Sequence, residues 1–185
     1  MIRRHYPKGA MDIQLASRFA TIALLCAAIP AAAATSDVSP SGFLVAHRAE
    51  VPAAPAAVFA AVTQVGKWWN SAHTYSGKSD NLSIDARAGG CFCERWGDNS
   101  IEHMRVLYVA RDQALRMEGS LGPLQQMAVT GVLTFLVAPG ADGKTVLSLG
   151  YRVRGAEANL DKMAGPVDNM LGEQFARLVE YAGRK

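Results

Sequence analysis

Apolar and polar positions alternate from the first residues after Ser41. Phe43, Val45 and His47 fall on one side, Leu44 and Ala46 on the other. That period of two predicts a strand ending at Pro52. Pro55 suits the first turn of a helix, and Val58, Phe59, Val62 and Val65 follow at helical spacing. Gly66 interrupts, and the Lys67–Asn70 stretch predicts a second short helix or turn. From Leu82 the pattern is strand-like in six segments, about 82–86, 90–96, 101–109, 113–119, 127–137 and 145–153. Glycine- and proline-rich breakers separate them, and hairpin-length gaps predict an antiparallel meander. The C-terminal segment is helical, with Val167, Leu171, Phe175, Leu178 and Ala182 on one stripe. Pro166 marks the start of its regular part or a kink.

These elements predict an α+β domain: a curved antiparallel sheet of about six or seven strands, wrapped on a long C-terminal helix. Two short helices follow the first strand. A half-buried sheet needs cover on its apolar face, and the last helix is the element large enough to give it. The order of elements, the VPAAPAAVFAAVT stretch at the first helix, Trp68-Trp69 after it, Gly89-Gly90 opening a strand and LGEQFARLVEYA in the last helix resemble the helix-grip superfamily. This superfamily, also called SRPBCC or START-like, includes the polyketide cyclases. Within it the chain looks most like the branch of the activator of the heat-shock chaperone ATPase. The likeness spans roughly residues 42–183. It implies a fold with a cavity between sheet and helix, and no single activity.

The start of the chain differs from the rest. Arg3, Arg4, Lys8 and Arg18 precede the apolar run Phe19–Ala34, and a polar stretch follows. A basic start, a short apolar run and a small-residue end predict a secretory signal peptide over 1–34, a linker over 35–41 and one domain over 42–185. The run falls short of a membrane span, so no stable membrane anchor is expected. The mature protein would be secreted or periplasmic. Exported, it would not meet a cytosolic chaperone. The formal net charge of +3 also belongs to this segment, since residues from Thr35 onward carry 15 basic and 15 acidic side chains. No basic surface remains to favour nucleic acid.

The chemistry concentrates in GGCFCERWGDNSIEH, Gly89–His103. A hairpin turning at Gly97–Ser100 would set Glu94 opposite His103, Trp96 opposite Ile101 and Cys93 opposite Met104. Phe92, Glu94, Trp96, His103, Arg105 and Leu107 would then share a face, with Cys91, Cys93, Met104 and Val106 on the other. Two residues of extended strand separate Cα atoms by about 6.6 Å, at the far edge of disulfide geometry. Small buried thiols are therefore the expected state, with a bulge near Gly89-Gly90 as the route to a bond. A metal is not expected, because two thiolates fall short of a four-ligand site.

Glu94 beside His103 is the candidate catalytic pair: the carboxylate would orient the imidazole, raise its pKa and leave it as a general base. Trp69, Phe92, Trp96, Tyr151, Met170 and Phe175 are the candidate ligand-binding residues. Leu121, Leu124 and Met127 would reach the pocket mouth. The leading expectation is an exported protein binding a small apolar or amphipathic molecule in the sheet–helix cavity, with no cofactor. The alternatives are a cyclase- or hydrolase-type enzyme using His103 and Glu94, and a ligand-free interaction module. No nucleophile elbow, phosphate loop or dinucleotide fingerprint occurs in the sequence.

Overall fold

The computed structural model describes residues 32–156 and 159–184. Most of the expected signal segment lies outside the described residues. The domain begins with strand β1 (Ala32–Ser39), followed by β2 (Gly42–Val51) and helix α1 (Pro55–Thr63). Then come β3 (Leu82–Ile84), β4 (Cys91–Trp96), β5 (Asn99–Ala110), β6 (Ala114–Glu118), β7 (Val129–Pro139), β8 (Thr145–Gly155) and the long helix α2 (Leu160–Gly183). The eight strands form one antiparallel sheet in the order β1-β2-β8-β7-β6-β5-β4-β3. This is the α+β helix-grip architecture.

One local expectation changes and two become more specific. Residues 35–39, expected as linker, belong to edge strand β1, where Thr35 pairs with Val45 and Ser36 with Leu44. Its small polar residues carry no alternation because backbone pairing to β2, not burial of side chains, makes it a strand. The second short helix is a pair of 3-10 turns, Val65–Lys67 and Ser71–His73. Pro166 lies inside α2, in the second turn after its start at Leu160.

The core is the inner face of the sheet against both helices. The β7–β8 register pairs Leu133 with Tyr151, Phe135 with Leu149 and Val137 with Leu147. All six are buried. On α2 the buried positions are Leu160, Ala164, Val167, Leu171, Gln174, Phe175, Leu178 and Ala182, the expected stripe extended toward the N-terminus. This helix packs mainly on β2, β1 and α1. It therefore covers one end of the sheet and leaves the concave side of β4 and β5 to be closed by loops.

Tyr151 is fully buried. Its hydroxyl donates to the Gly119 carbonyl at 3.2 Å and accepts from the Leu121 N–H at 3.3 Å, and burial raises the phenol pKa well above its ordinary value. The ring lies over Gly131, where a Cβ would sit 2.4 Å from Tyr151 Cε2. Gly131→Ala is expected to displace the ring and cost about 1–3 kcal/mol, read as a lower midpoint in urea unfolding with an unchanged slope.

Candidate functional site

The site begins with a displaced register. The β4–β5 hairpin turns on two residues, Gly97 and Asp98, so that Trp96 pairs with Asn99, Glu94 with Ile101 and Cys93 with Glu102. Each partner lies two residues nearer the turn than expected. The register then shifts: Phe92 pairs with Met104 and Cys91 with Arg105. His103 is the extra residue of this β-bulge. A bulge flips the alternation beyond it. Met104 and Val106 therefore join His103 on the buried face, and Arg105 and Leu107 turn outward. This reverses the expected face assignment for the second half of β5.

The bulge leaves Glu94 and His103 in contact although they are not ladder partners: His103 Nε2 lies 3.2 Å from Glu94 Oε2. Glu94 is fully buried and His103 is 7 % exposed. The carboxylate also accepts the backbone N–H of Tyr75 at 3.1 Å on Oε2 and that of Ser76 at 2.5 Å on Oε1. Burial raises the Glu94 pKa, but the hydrogen bonds from Ser76, Tyr75 and His103 outweigh it, and the net shift is downward. For His103, desolvation outweighs the raising effect of Glu94, and its pKa is lowered rather than raised as expected. An ionised carboxylate only accepts, so Nε2 carries the imidazole proton and Nδ1 the lone pair. Nδ1 has no hydrogen-bond partner among the described residues.

A cavity of about 640 Å3 opens in front of His103. Phe92 and His103 form its floor with Leu82. Trp69, Ala72, His73, Thr74 and Tyr75 wall one side, and Leu121 to Leu124 with Gln126 the other. Met163, Pro166, Val167 and Met170 of α2 close it. The mouth lies between the two loops, where the Tyr75 hydroxyl donates to the Gly122 carbonyl at 3.4 Å. The size is that of a small-molecule site, and the lining is mostly apolar with few polar groups.

The loop carrying Trp69–Tyr75 is held from two sides. Asn70 Oδ1 accepts from the Ala72 N–H at 2.9 Å, Trp69 Nε1 donates to the His73 carbonyl at 2.9 Å, and Thr74 Oγ1 to that of Ser71 at 2.7 Å. On α2, Gln174 Oε1 accepts from the Asn70 N–H at 2.7 Å, and Glu173 takes Asn70 Nδ2 and lies 3.3 Å from His73 Nε2. Arg177 Nε donates to the Trp68 carbonyl at 2.7 Å. Glu94 holds the other side. Both Trp68 and Trp69 are buried.

Of the candidate binding residues, Trp69, Phe92 and Met170 line the cavity, as do Leu121 and Leu124. Three do not. Trp96 ends its strand at the hairpin turn and is partly exposed. Tyr151 is sealed in the core, its hydroxyl fully engaged. Phe175 stacks on His47 at 5.7 Å, facing β2. Met127 is also absent from the lining, and Glu94 sits behind His103 rather than at the surface. Among the missed residues, His73, Thr74, Tyr75, Pro123 and Gln126 come from the connecting segments, where no periodicity announces which side chain turns inward, while Leu82 comes from β3 and Pro166 and Val167 from α2.

Cys91 and Cys93 form a disulfide, with Cα atoms 5.4 Å apart. That is shorter than the span of about 6.6 Å in a regular strand and within disulfide range, which corrects the expectation of free thiols. A Glu102 oxygen lies within 4.8 Å of both sulfurs.

No family model matches the chain, and no curated protein matches it. Solved structures do. A putative uncharacterized protein from Rhizobium leguminosarum superposes with a TM-score of 0.57 at 14% identity, covering 85% of this chain and all of the other. Protein MLL2253 from Mesorhizobium loti gives 0.56 at 19% identity over 77% of this chain and 98% of its own. The Aha1 dimer from Colwellia psychrerythraea gives 0.54 at 14% identity, over 77% and 98%. At these identities the likeness is one of fold.

Both lowered pKa values tie stability to pH in one direction. The fold favours neutral His103 and ionised Glu94, so their contributions are present above the ordinary values of 6.5 and 4.5 and are lost as pH falls through the folded values. Resistance to urea is expected to fall on acidification, first below pH 6.5 and again below 4.5. Glu94→Gln should remove the lower step and cost about 1–3 kcal/mol at pH 7, since a neutral amide replaces an acceptor of three hydrogen bonds.

Proposed function

We propose that this protein binds a small apolar or amphipathic molecule in the cavity between the sheet, the two loops and α2. The single observation behind this reading is the cavity itself: about 640 Å3, walled by Trp69, Phe92, Leu124 and Met170, and fixed from both sides by buried polar anchors. A cavity that is already shaped binds without the cost of ordering its walls. His103 Nδ1 offers the guest an acceptor, and the Tyr75 hydroxyl and Gln126 at the mouth suit a polar end. Among the described residues no helix is long and apolar enough to cross a membrane. The basic-then-apolar start supports export, and cleavage near Ala34 would leave β1 its pairs from Thr35 onward.

A second reading has its own observation. A neutral imidazole, tautomer fixed by an ionised carboxylate and facing an apolar cavity, is the arrangement of a general base. On that reading His103 Nδ1 would take a proton from a bound substrate, and Glu94 would stabilise the imidazolium formed.

Ala72 lines the mouth and is exposed, so Ala72→Trp should fill the entrance with a stability change within about 0.5 kcal/mol. Binding of the fluorescent probe 1-anilinonaphthalene-8-sulfonate should fall about tenfold or more, the loss expected of a blocked apolar pocket. Equal binding by the variant would place the probe elsewhere and remove the support for this cavity. Native mass spectrometry of protein from its own host should show a retained small molecule and a chain beginning near Thr35.

A further inference from the structure

The Cys91–Cys93 bond lies outside the cavity, and its cross-link explains little of the fold. Only Phe92 separates the two cysteines. Closing so short a loop removes little freedom from the unfolded chain. The flanking ladder already fixes the strand, with Cys91 paired to Arg105 and Cys93 to Glu102. A bond that contributes little as a staple still has chemistry to offer.

Its two sulfurs sit in unlike places. Cys91 is partly exposed and Cys93 is buried at 5 % exposure. Arg105 stands across the ladder from Cys91, and its guanidinium holds the Glu102 carboxylate at 3.0 Å to each oxygen. A Glu102 oxygen lies within 4.8 Å of both sulfurs, and the Arg105 guanidinium offsets the charge of that carboxylate. A bare carboxylate would oppose a thiolate beside it, and its pairing with Arg105 weakens that opposition. Disulfide exchange needs a sulfur that an incoming thiolate can reach and a partner sulfur that can leave, and the unlike exposure of the two cysteines assigns those parts.

We propose that Cys91–Cys93 is a thiol–disulfide exchange site for a low-molecular-weight thiol, with Cys91 the exchanging sulfur and Cys93 the resolving one. The incoming thiolate attacks Cys91 Sγ. A new S–S bond forms as the Cys91–Cys93 bond breaks, and Cys93 leaves as a thiolate that takes a proton from water. A second thiolate then attacks the small-molecule sulfur of the mixed disulfide. It releases the small disulfide and the Cys91 thiolate, which is protonated in turn. Two thiols are oxidised, and the protein disulfide takes up two electrons and two protons. Run backward, the same steps oxidise the pair.

The test uses the full chain in glutathione buffers of graded redox ratio, acid-quenched, alkylated and mapped by peptide mass so that Cys26 is read separately. Far-UV circular dichroism follows the fold. The expected result is reversible reduction of Cys91–Cys93 with the fold intact. Cys93→Ser should carry glutathione on Cys91, and Cys91→Ser should modify Cys93 roughly tenfold more slowly, reflecting its burial. A bond that yields only when the chain unfolds overturns the proposal. So do equal modification of the two variants and isolation of the protein with one zinc per chain on reduced cysteines. Should either variant fail to fold, the wild-type redox titration alone decides.

Discussion

The Glu94 carboxylate is the constraint on which the site depends. A charge removed fully from water is tolerated only if its lone pairs are taken up by donors. Here Tyr75 N–H, Ser76 N–H and His103 Nε2–H supply them. Those donors come from a loop and from the neighbouring strand. One buried anion therefore pins the cavity wall, fixes the tautomer of the imidazole on the floor, and joins the two.

The second constraint is the bulge at His103. It places His103 and Met104 in succession on the inner face, where a regular strand would turn one of them out. Its outer side abuts Gly119, where a Cβ would meet the His103 carbonyl oxygen at 2.4 Å. Opposite it on β4 lies the Cys91–Cys93 bond. Imidazole and disulfide thus lie on either strand of a single register shift, although they serve different surfaces of the molecule.

The helix-grip frame gives these devices a rigid background. Helix α2 packs on the β2 end of the sheet and offers Gln174, Glu173 and Arg177 to the loop from the far side. Its N-terminal half, Met163 to Met170, is left to wall the cavity. The loops therefore close a space that the sheet and helix alone would leave open. The fold itself is shared with solved structures at 14–19% identity.

Alternation and helical spacing by themselves determined most of the elements, the sheet's antiparallel sense and the buried stripe of α2, because burial of one face imposes a period that a chain must display. The sequence also brought Glu94, His103, Trp69, Phe92 and Met170 into one candidate group. Only the tertiary structure decided the register of β4 on β5, the bulge, the disulfide and the loop residues of the cavity. A bulge shifts the phase of the alternation, and one strand read alone cannot tell that shift from a different choice of buried face. Edge strand β1 left none either, being made by backbone pairing to a neighbour. Trp96, Tyr151 and Phe175 looked equivalent to the true lining residues because aromatic side chains serve core, edge and cavity alike. Which of these each one joins is set by elements distant in sequence.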